Sequence, residues 1–344
     1  MMKYLFFLLL FPYVVMATTL RISNFVDYID IEVLKEFASK NNIEIIYETH
    51  PSSEEAYNKI LKSDNAYDIV IITSHYIQKL QNEGLIEKLE KNQLPNYQNL
   101  NQAFLKKYFH KVDEYTATYL WGSVGLYLNQ KKISGKFSSW NDLWTDELKN
   151  SILISNEPLD VFAVALKSLG YSANTTNEEE IKQAYNKLLR LIPNIKEISS
   201  GNVPTYFTQN DFIAGMMFSG DAKVISDELT YYKYVYPQEG ALIWADGMVI
   251  PSNSQNKALA HAFINFIIEA KTSAKIASYT GYALANDEAK KHISQNNLQD
   301  NIINPSSNEL ENSEILYNHS QTHTLILEYW KQFIDAYNTH KGIK

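Results

Sequence analysis

Hydrophobic positions along the chain fall into short continuous runs separated by stretches of helical spacing. Thr18 to Phe25 reads as a strand. Asp30 to Asn41 has apolar residues at Ile31, Val33, Leu34, Phe37 and Ala38, which is helical spacing. Ile43 to Glu48 is a second strand. Ser52-Ser53-Glu54-Glu55 is a capping box that opens a helix running to Ser63. Asp68 to Thr73 (DIVIIT) is a buried strand, and a helix follows from His75 to Glu83. The order βαβαβα predicts a parallel sheet covered on both faces.

The same alternation continues. Thr116 to Asn129 is extended, and Ser151 to Ser155 is a strand. Helices are predicted at Asp160–Leu169 and Glu178–Leu191. Ile213 to Ser219 is a strand leading into a helix at Asp221–Leu229, and Leu242 to Ile250 is another strand. Lys257–Glu269, Ser273–Tyr279 and Thr324–Tyr337 are helices, and the polar stretch 294–314 reads as a loop.

The first segment breaks this pattern. Met1-Met2-Lys3 is a short positive start, and Tyr4 to Met16 is an almost unbroken apolar run before Ala17. That is the pattern of a secretory signal peptide over residues 1–17. A membrane anchor is the other reading, but the run falls short of the roughly 20 residues a spanning helix needs. The chain has no cysteine. Disulfides, thiolate metal sites, a cysteine nucleophile and a lipidated cysteine are thereby excluded. A free protein of the periplasm is the simplest expectation.

Length and charge narrow the function. The 344 residues suggest two domains. A net charge of −8 disfavours a nucleic-acid partner and suits a protein that handles cations. Arg21 and Arg190 are the only arginines, so bidentate capture of phosphate or carboxylate has little to draw on. Dinucleotide, P-loop, zinc-protease and nucleophile-elbow motifs are absent, and no cofactor is expected. His319 and His323 are four apart and could share a metal, though the sequence offers no third ligand.

Carboxylates and aromatics gather where predicted strands end, which is where open α/β sheets bind ligands. Asn24 to Tyr28 follows the first strand, Ser155 to Asp160 follows the strand at 151, and Gly215 to Gly220 ends another. Trp244-Ala245-Asp246-Gly247 lies inside a hydrophobic strand, where aspartate is disfavoured and a buried carboxylate needs a partner. An organic polycation needs this mixture. Acids neutralise its ammoniums, and aromatic faces cover its methylenes while attracting its charge. Glu157 and Asp160 are also readable as first-turn acids of a helix whose first position is Pro158.

At these segments the chain resembles the periplasmic spermidine/putrescine-binding proteins of ABC transporters. The matching stretches are NFVDYI (24–29), AYDIVIITSHYIQKL (66–80), LWGSVGLYLN (120–129), SWNDLW (139–144), DVFAVALKSLGYSANTT (160–176), GMMFSGDA (215–222), YPQEGALIWADGMVIPSNSQNK (236–257) and TGYALAN (280–286). The resemblance implies an α/β, two-lobe periplasmic-binding-protein fold of type II-like form. Each lobe would be a mostly parallel sheet flanked by helices, with the ligand in the cleft between them. The lobes would be 18–124 with 245–290, and 125–244 with 291–344. The family's acidic positions fall on Glu157, Asp160 and Asp246, with Asp27 a further acid. Its aromatic walls fall on Phe25, Tyr28, Phe218, Trp244 and Tyr282, its polar contacts on Thr73 and His75, and a late glutamine on Gln321.

The chain departs from the family's pattern in four places. Phe25 and Phe218 stand where tryptophan is common, and Glu157 and Asp160 reverse the usual order of aspartate and glutamate. His75 replaces a tyrosine, and a protonated imidazole would repel an ammonium, so His75 is expected to be neutral when ligand is bound. The implied partners are a polyamine and a membrane permease, and a monomer is expected. The alternatives are another solute on the same fold (a ferric ion, amino acid or sugar) or an enzyme using Glu157 and Asp246 as an acid/base pair.

Overall fold

Strand β1 (Thr19–Phe25) lies between β2 (Glu44–His50) and β3 (Ile69–Thr73) and runs parallel to both. The helix α1 (Ile31–Asn41) that links β1 to β2 starts where the Asp30 carboxylate accepts the Glu32 amide. It stops at Asn42, whose φ of 52° is left-handed. Its Val33, Leu34 and Phe37 are buried as the spacing predicts, whereas Ile31, at the first helical position, is exposed. Helix α2 (Ser53–Lys62) opens with the Ser52 hydroxyl accepting the Glu55 amide, and α3 (Ser74–Asn82) follows β3 directly. In this computed structural model the described residues are 18–62, 67–109, 112–199, 207–209, 212–317 and 320–343. The predicted export segment and His319 lie outside them.

The second half repeats the plan around β5 (Ile152–Ile154), β6 (Ile195–Ile198) and β7 (Ala214–Phe218). Here β5 pairs in parallel with both neighbours. Its helices are α4 (Pro158–Ser168), α5 (Glu178–Leu189) and α6 (Ser219–Glu228). Two long strands join the halves. They are β4 (Ala117–Asn129), buried along its whole length, and β9 (Leu242–Val249), which runs antiparallel to it. With β8 (Tyr232–Val235) on β4 and the short β10 (Glu314–Ile315) on β9, a continuous sheet results, ordered β2-β1-β3-β9-β4-β7-β5-β6. The outer strands are parallel as expected. The centre is antiparallel because the chain crosses on β4 and returns on β9 in the opposite direction.

Buried side chains divide into clusters at those crossings. The first takes residues up to Trp121 and resumes at Ile243, whereas the second begins at Val124 and includes Leu242. A smaller third cluster surrounds Tyr127 and Phe207. The tail serves both large clusters. Ile303 and Ile315 pack in the first, and Ile326, Phe333 and Tyr337 of α9 (Ser320–Lys341) pack in the second. The segment 294–314, read as a loop, is irregular apart from one helical turn at Gln295–Leu298 and its last residue, Glu314, where β10 begins. Helices α7 (Lys257–Ile267) and α8 (Ala270–Thr280) cover the first half. Among the described residues no helix is long and apolar enough to cross a membrane.

The returning tail is pinned by a nearly buried ion pair. The Lys167 ammonium, 5% exposed, lies 2.7 Å from the Glu314 carboxylate and also donates to the Asn312 carbonyl. Burial opposes ionisation of Glu314, yet hydrogen bonds from Lys167 and Ser172 hold its carboxyl below the ordinary range. Glu314→Ala would leave that ammonium without its counter-charge, which costs about 2–3 kcal/mol at a partly buried pair. We expect a thermal melt to drop by several degrees. An unchanged melting temperature would show that the pair does not anchor the tail.

Candidate functional site

A cleft of about 1390 Å3 opens between the two large clusters. That exceeds the roughly 300–1,000 Å3 of a closed small-ligand pocket, so the walls have room to approach each other. The carboxyl ends of β1, β3 and β7 feed into it at Phe25, Thr73 and Phe218, and β9 crosses its floor at Trp244 and Asp246. Eleven of the twelve residues singled out in the sequence line it: Phe25, Asp27, Tyr28, Thr73, His75, Glu157, Asp160, Phe218, Trp244, Asp246 and Tyr282. Gln321 lies in the first turn of α9, and its side chain is outside the described set.

Asp246 is the best-held acid. The antiparallel register of β3 and β9 sets it opposite Thr73, and it is 5% exposed. The Tyr28 hydroxyl donates to its Oδ2 at 2.7 Å, and the Tyr119 hydroxyl fixes the Tyr28 carbonyl at 2.6 Å. Burial pushes the Asp246 carboxyl up to about 6, against the hydrogen bonds from Tyr28 and Thr73. Burial, and then the nearby Asp246 charge, raises Tyr28 far above the ordinary tyrosine range, so it stays a donor. Tyr28 is therefore more than an apolar wall: it is buried and orients the carboxylate. Asp27 is exposed at the rim, with a left-handed φ of 54°.

The aromatic walls meet edge to face. Trp244 lies 4.9 Å from Tyr282 and 6.2 Å from Phe218, while Phe25 lies 5.4 Å from Tyr28 and 4.5 Å from the His50 ring. The indole rests on Gly122, its cross-strand neighbour in β4. A Cβ at Gly122 would fall 2.4 Å from the ring's Cζ2, so only glycine leaves the indole in place.

The second wall carries Glu157 and Asp160 at the start of α4. Pro158 takes the first helical position and Asp160 the first turn, so the helix-start reading holds as a description of the backbone. Glu157 occupies the cap position, but its side chain makes no capping hydrogen bond. Burial, then the Glu157 charge, pushes Asp160 up to about 7. Glu157 is exposed to the cleft yet has protein on most sides. That loss of bulk solvent, with Glu54 on the facing wall, raises its carboxyl too. Burial and then His323 push His75 down to about 4, so it is neutral at pH 7.

Several lining residues gave weaker signals in the sequence. Asp221, in the first turn of α6, faces the cleft, and burial pushes it up to about 6. Its signal was available, because it follows β7 as Asp160 follows β5. Glu54, Tyr76 and His323 also line the cleft. So does Ser74, 5% exposed, whose buried hydroxyl has no hydrogen-bond partner. Among the described residues no group of three or more histidines and acids is placed to hold a metal ion.

Two lobes joined by crossing strands, with a charged and aromatic cleft between them, define the class of two-lobe solute-binding proteins. The chain belongs to the family of bacterial extracellular solute-binding proteins, whose pattern matches residues 32–304. It is 34% identical over 298 residues to the spermidine/putrescine-binding periplasmic protein of Escherichia coli (strain K12), covering 86% of each chain. Among solved structures it is similar to a putative spermidine/putrescine ABC transporter protein of Listeria monocytogenes. The TM-score is 0.86 and the identity 32%, over 92% of this chain and 99% of that one. The spermidine/putrescine ABC transporter substrate-binding protein of Streptococcus pneumoniae, solved with calcium and HEPES, gives a TM-score of 0.83 and 31% identity. That match covers 93% of this chain and 100% of the other.

Proposed function

We propose that this protein captures polyamines, spermidine or putrescine, in the periplasm and hands them to the permease of an ABC transporter. The observation that carries this reading is Asp246, a buried carboxylate oriented by Tyr28 and close to Tyr282, with Trp244 two residues before it in β9 packed on Tyr282 and Phe218. The names of the relatives above support it. Asp246 receives one ammonium, and Asp160 with Glu157 receives another from the facing wall. Asp221 supplies a further acid. The aromatic rings cover the methylenes, each buried CH2 contributing about 0.8 kcal/mol. Neutral His75 and Thr73 complete the polar rim. Closing the lobes removes water, which strengthens each ion pair and presents one surface to the permease.

The lobes in this reading are 18–124 with 245–290 and 125–244 with 291–344, the tail reaching back through Ile303 and Ile315. Residues 1–17 act as the export signal, the mature protein is a free monomer, and the cleft binds its solute without transforming it. A thermal-shift screen tests the function. At a hundred times Kd a ligand stabilises by about 2.7 kcal/mol, so spermidine or putrescine should raise the melting temperature by several degrees. A shift with ferric ion, amino acids or sugars and none with either polyamine would reject the reading, as would recovery of a chemically altered polyamine.

A further inference from the structure

Gly220 and Tyr282 approach from opposite walls of the cleft. Tyr282 follows α8 and packs against the first buried cluster, whereas Gly220 lies in the first turn of α6, directly behind β7 and the second cluster's Met216. The Tyr282 ring rests on the bare Gly220 Cα. A Cβ added there would fall 2.2 Å from Cε1, 2.5 Å from Cζ and 2.7 Å from Cδ1. Atoms in a packed interior do not approach so closely, so any side chain at 220 would displace the ring.

The backbone does not explain this glycine. Gly220 is helical and is not among the residues with positive φ. Glycine in a helix is about 1 kcal/mol less favourable than alanine. What it provides is space. The ring it admits is held on its other sides by Trp244 at 4.9 Å and Tyr28 at 5.8 Å, and it stands close enough to Asp221 and Asp246 to feel both charges.

We propose that Gly220 is a specificity-determining position of the polyamine site. Its bare Cα seats Tyr282 from the opposite wall as a fixed partition beside Asp221 and Asp246, and the spacing between ligand ammoniums is measured against that partition. This rests on the polyamine reading and adds to it a determinant of chain length. Gly220 lines the cleft, and its effect on the ligand is exerted through the ring it admits.

Calorimetry with spermidine and putrescine on Gly220→Ala, Tyr282→Ala and the double variant tests it. Gly220→Ala is expected to melt within a few degrees of wild type and to weaken at least one polyamine about tenfold, changing the spermidine-to-putrescine affinity ratio. In the Tyr282→Ala background the same glycine change should have less than about a twofold effect, because the ring it displaces is gone. Wild-type affinities and ratio in Gly220→Ala would overturn the inference while leaving the polyamine reading intact. So would a loss of the same size in both backgrounds. A wild-type protein that binds neither polyamine would remove the polyamine reading and the inference with it. Should Gly220→Ala not fold, Tyr282→Leu alone must shift the ratio, and an unchanged ratio overturns the proposal.

Discussion

Asp246→Asn should weaken spermidine binding about a hundredfold and leave the ligand-free protein at least as stable as before. The amide keeps the size of the carboxylate, and its oxygen can still accept the Tyr28 hydroxyl, now 2.7 Å from Oδ2. What it loses is the charge opposite an ammonium. Truncating one partner of a buried, hydrogen-bonded charge pair costs about 2–5 kcal/mol, or roughly thirtyfold to several thousandfold in affinity. Stability moves the other way. Burial raises the Asp246 carboxyl to about 6, so at pH 7.5 the folded ligand-free protein holds a carboxylate its surroundings disfavour. A neutral amide relieves that penalty. Calorimetry paired with a thermal melt separates the two effects. Affinity within twofold of wild type would remove Asp246 from the ligand's contacts, and a large fall in melting temperature would make it a structural residue instead.

How much of this site could be read from the sequence depended on whether a signal was local. Asp246 stood out because an acid inside the run LIWADGMV conflicts with strand chemistry, and the structure keeps it buried. The helices announced themselves by periodicity and caps, as in α1, where Asp30 and Asn42 mark both ends. From their own neighbourhood Glu157 and Asp160 read equally well as acids at a helix start, and it was the family resemblance that named them as recognition positions. Their position on a cleft wall facing Glu54 depends on packing between segments about a hundred residues apart. Tyr28 looked like an aromatic wall because its donor role requires a partner 218 positions away. The antiparallel centre was hidden for the same reason. The repeating βα pattern describes the outer strands, while the pairing of Thr73 with Asp246 comes from the return of β9 across the molecule. The short strands Ile195–Ile198 and Tyr232–Val235 carry too few residues to show a period.

Polyamine affinity should fall at least a hundredfold between pH 8 and pH 5, and binding near pH 6.5 should release on the order of one proton. The sign follows from the acids on both walls. In the ligand-free cleft burial raises Asp160 to about 7 and Asp246 and Asp221 to about 6, and Glu157 is raised as well. Below those values the neutral acids prevail, whereas an ammonium in the cleft needs them charged. The ligand's amines titrate above the range of these acids. Each acid must therefore shed its proton on binding, and each pH unit below its pKa takes about tenfold from the affinity. His75 acts in the same direction but later, since it becomes cationic only below about 4. His323, also lowered mainly by burial, faces the same space beside Lys79 and Glu54. Stability of the ligand-free protein is a poorer readout. The raised acids favour the fold as pH drops through 7 to 4, while the lowered histidines His50, His75 and His323 oppose it below their unfolded value of about 6.5. Calorimetry in buffers of different ionisation enthalpy counts the protons directly. Binding that is flat from pH 8 to pH 5, with no proton released, would mean that the ligand's charge is met by groups other than these cleft acids.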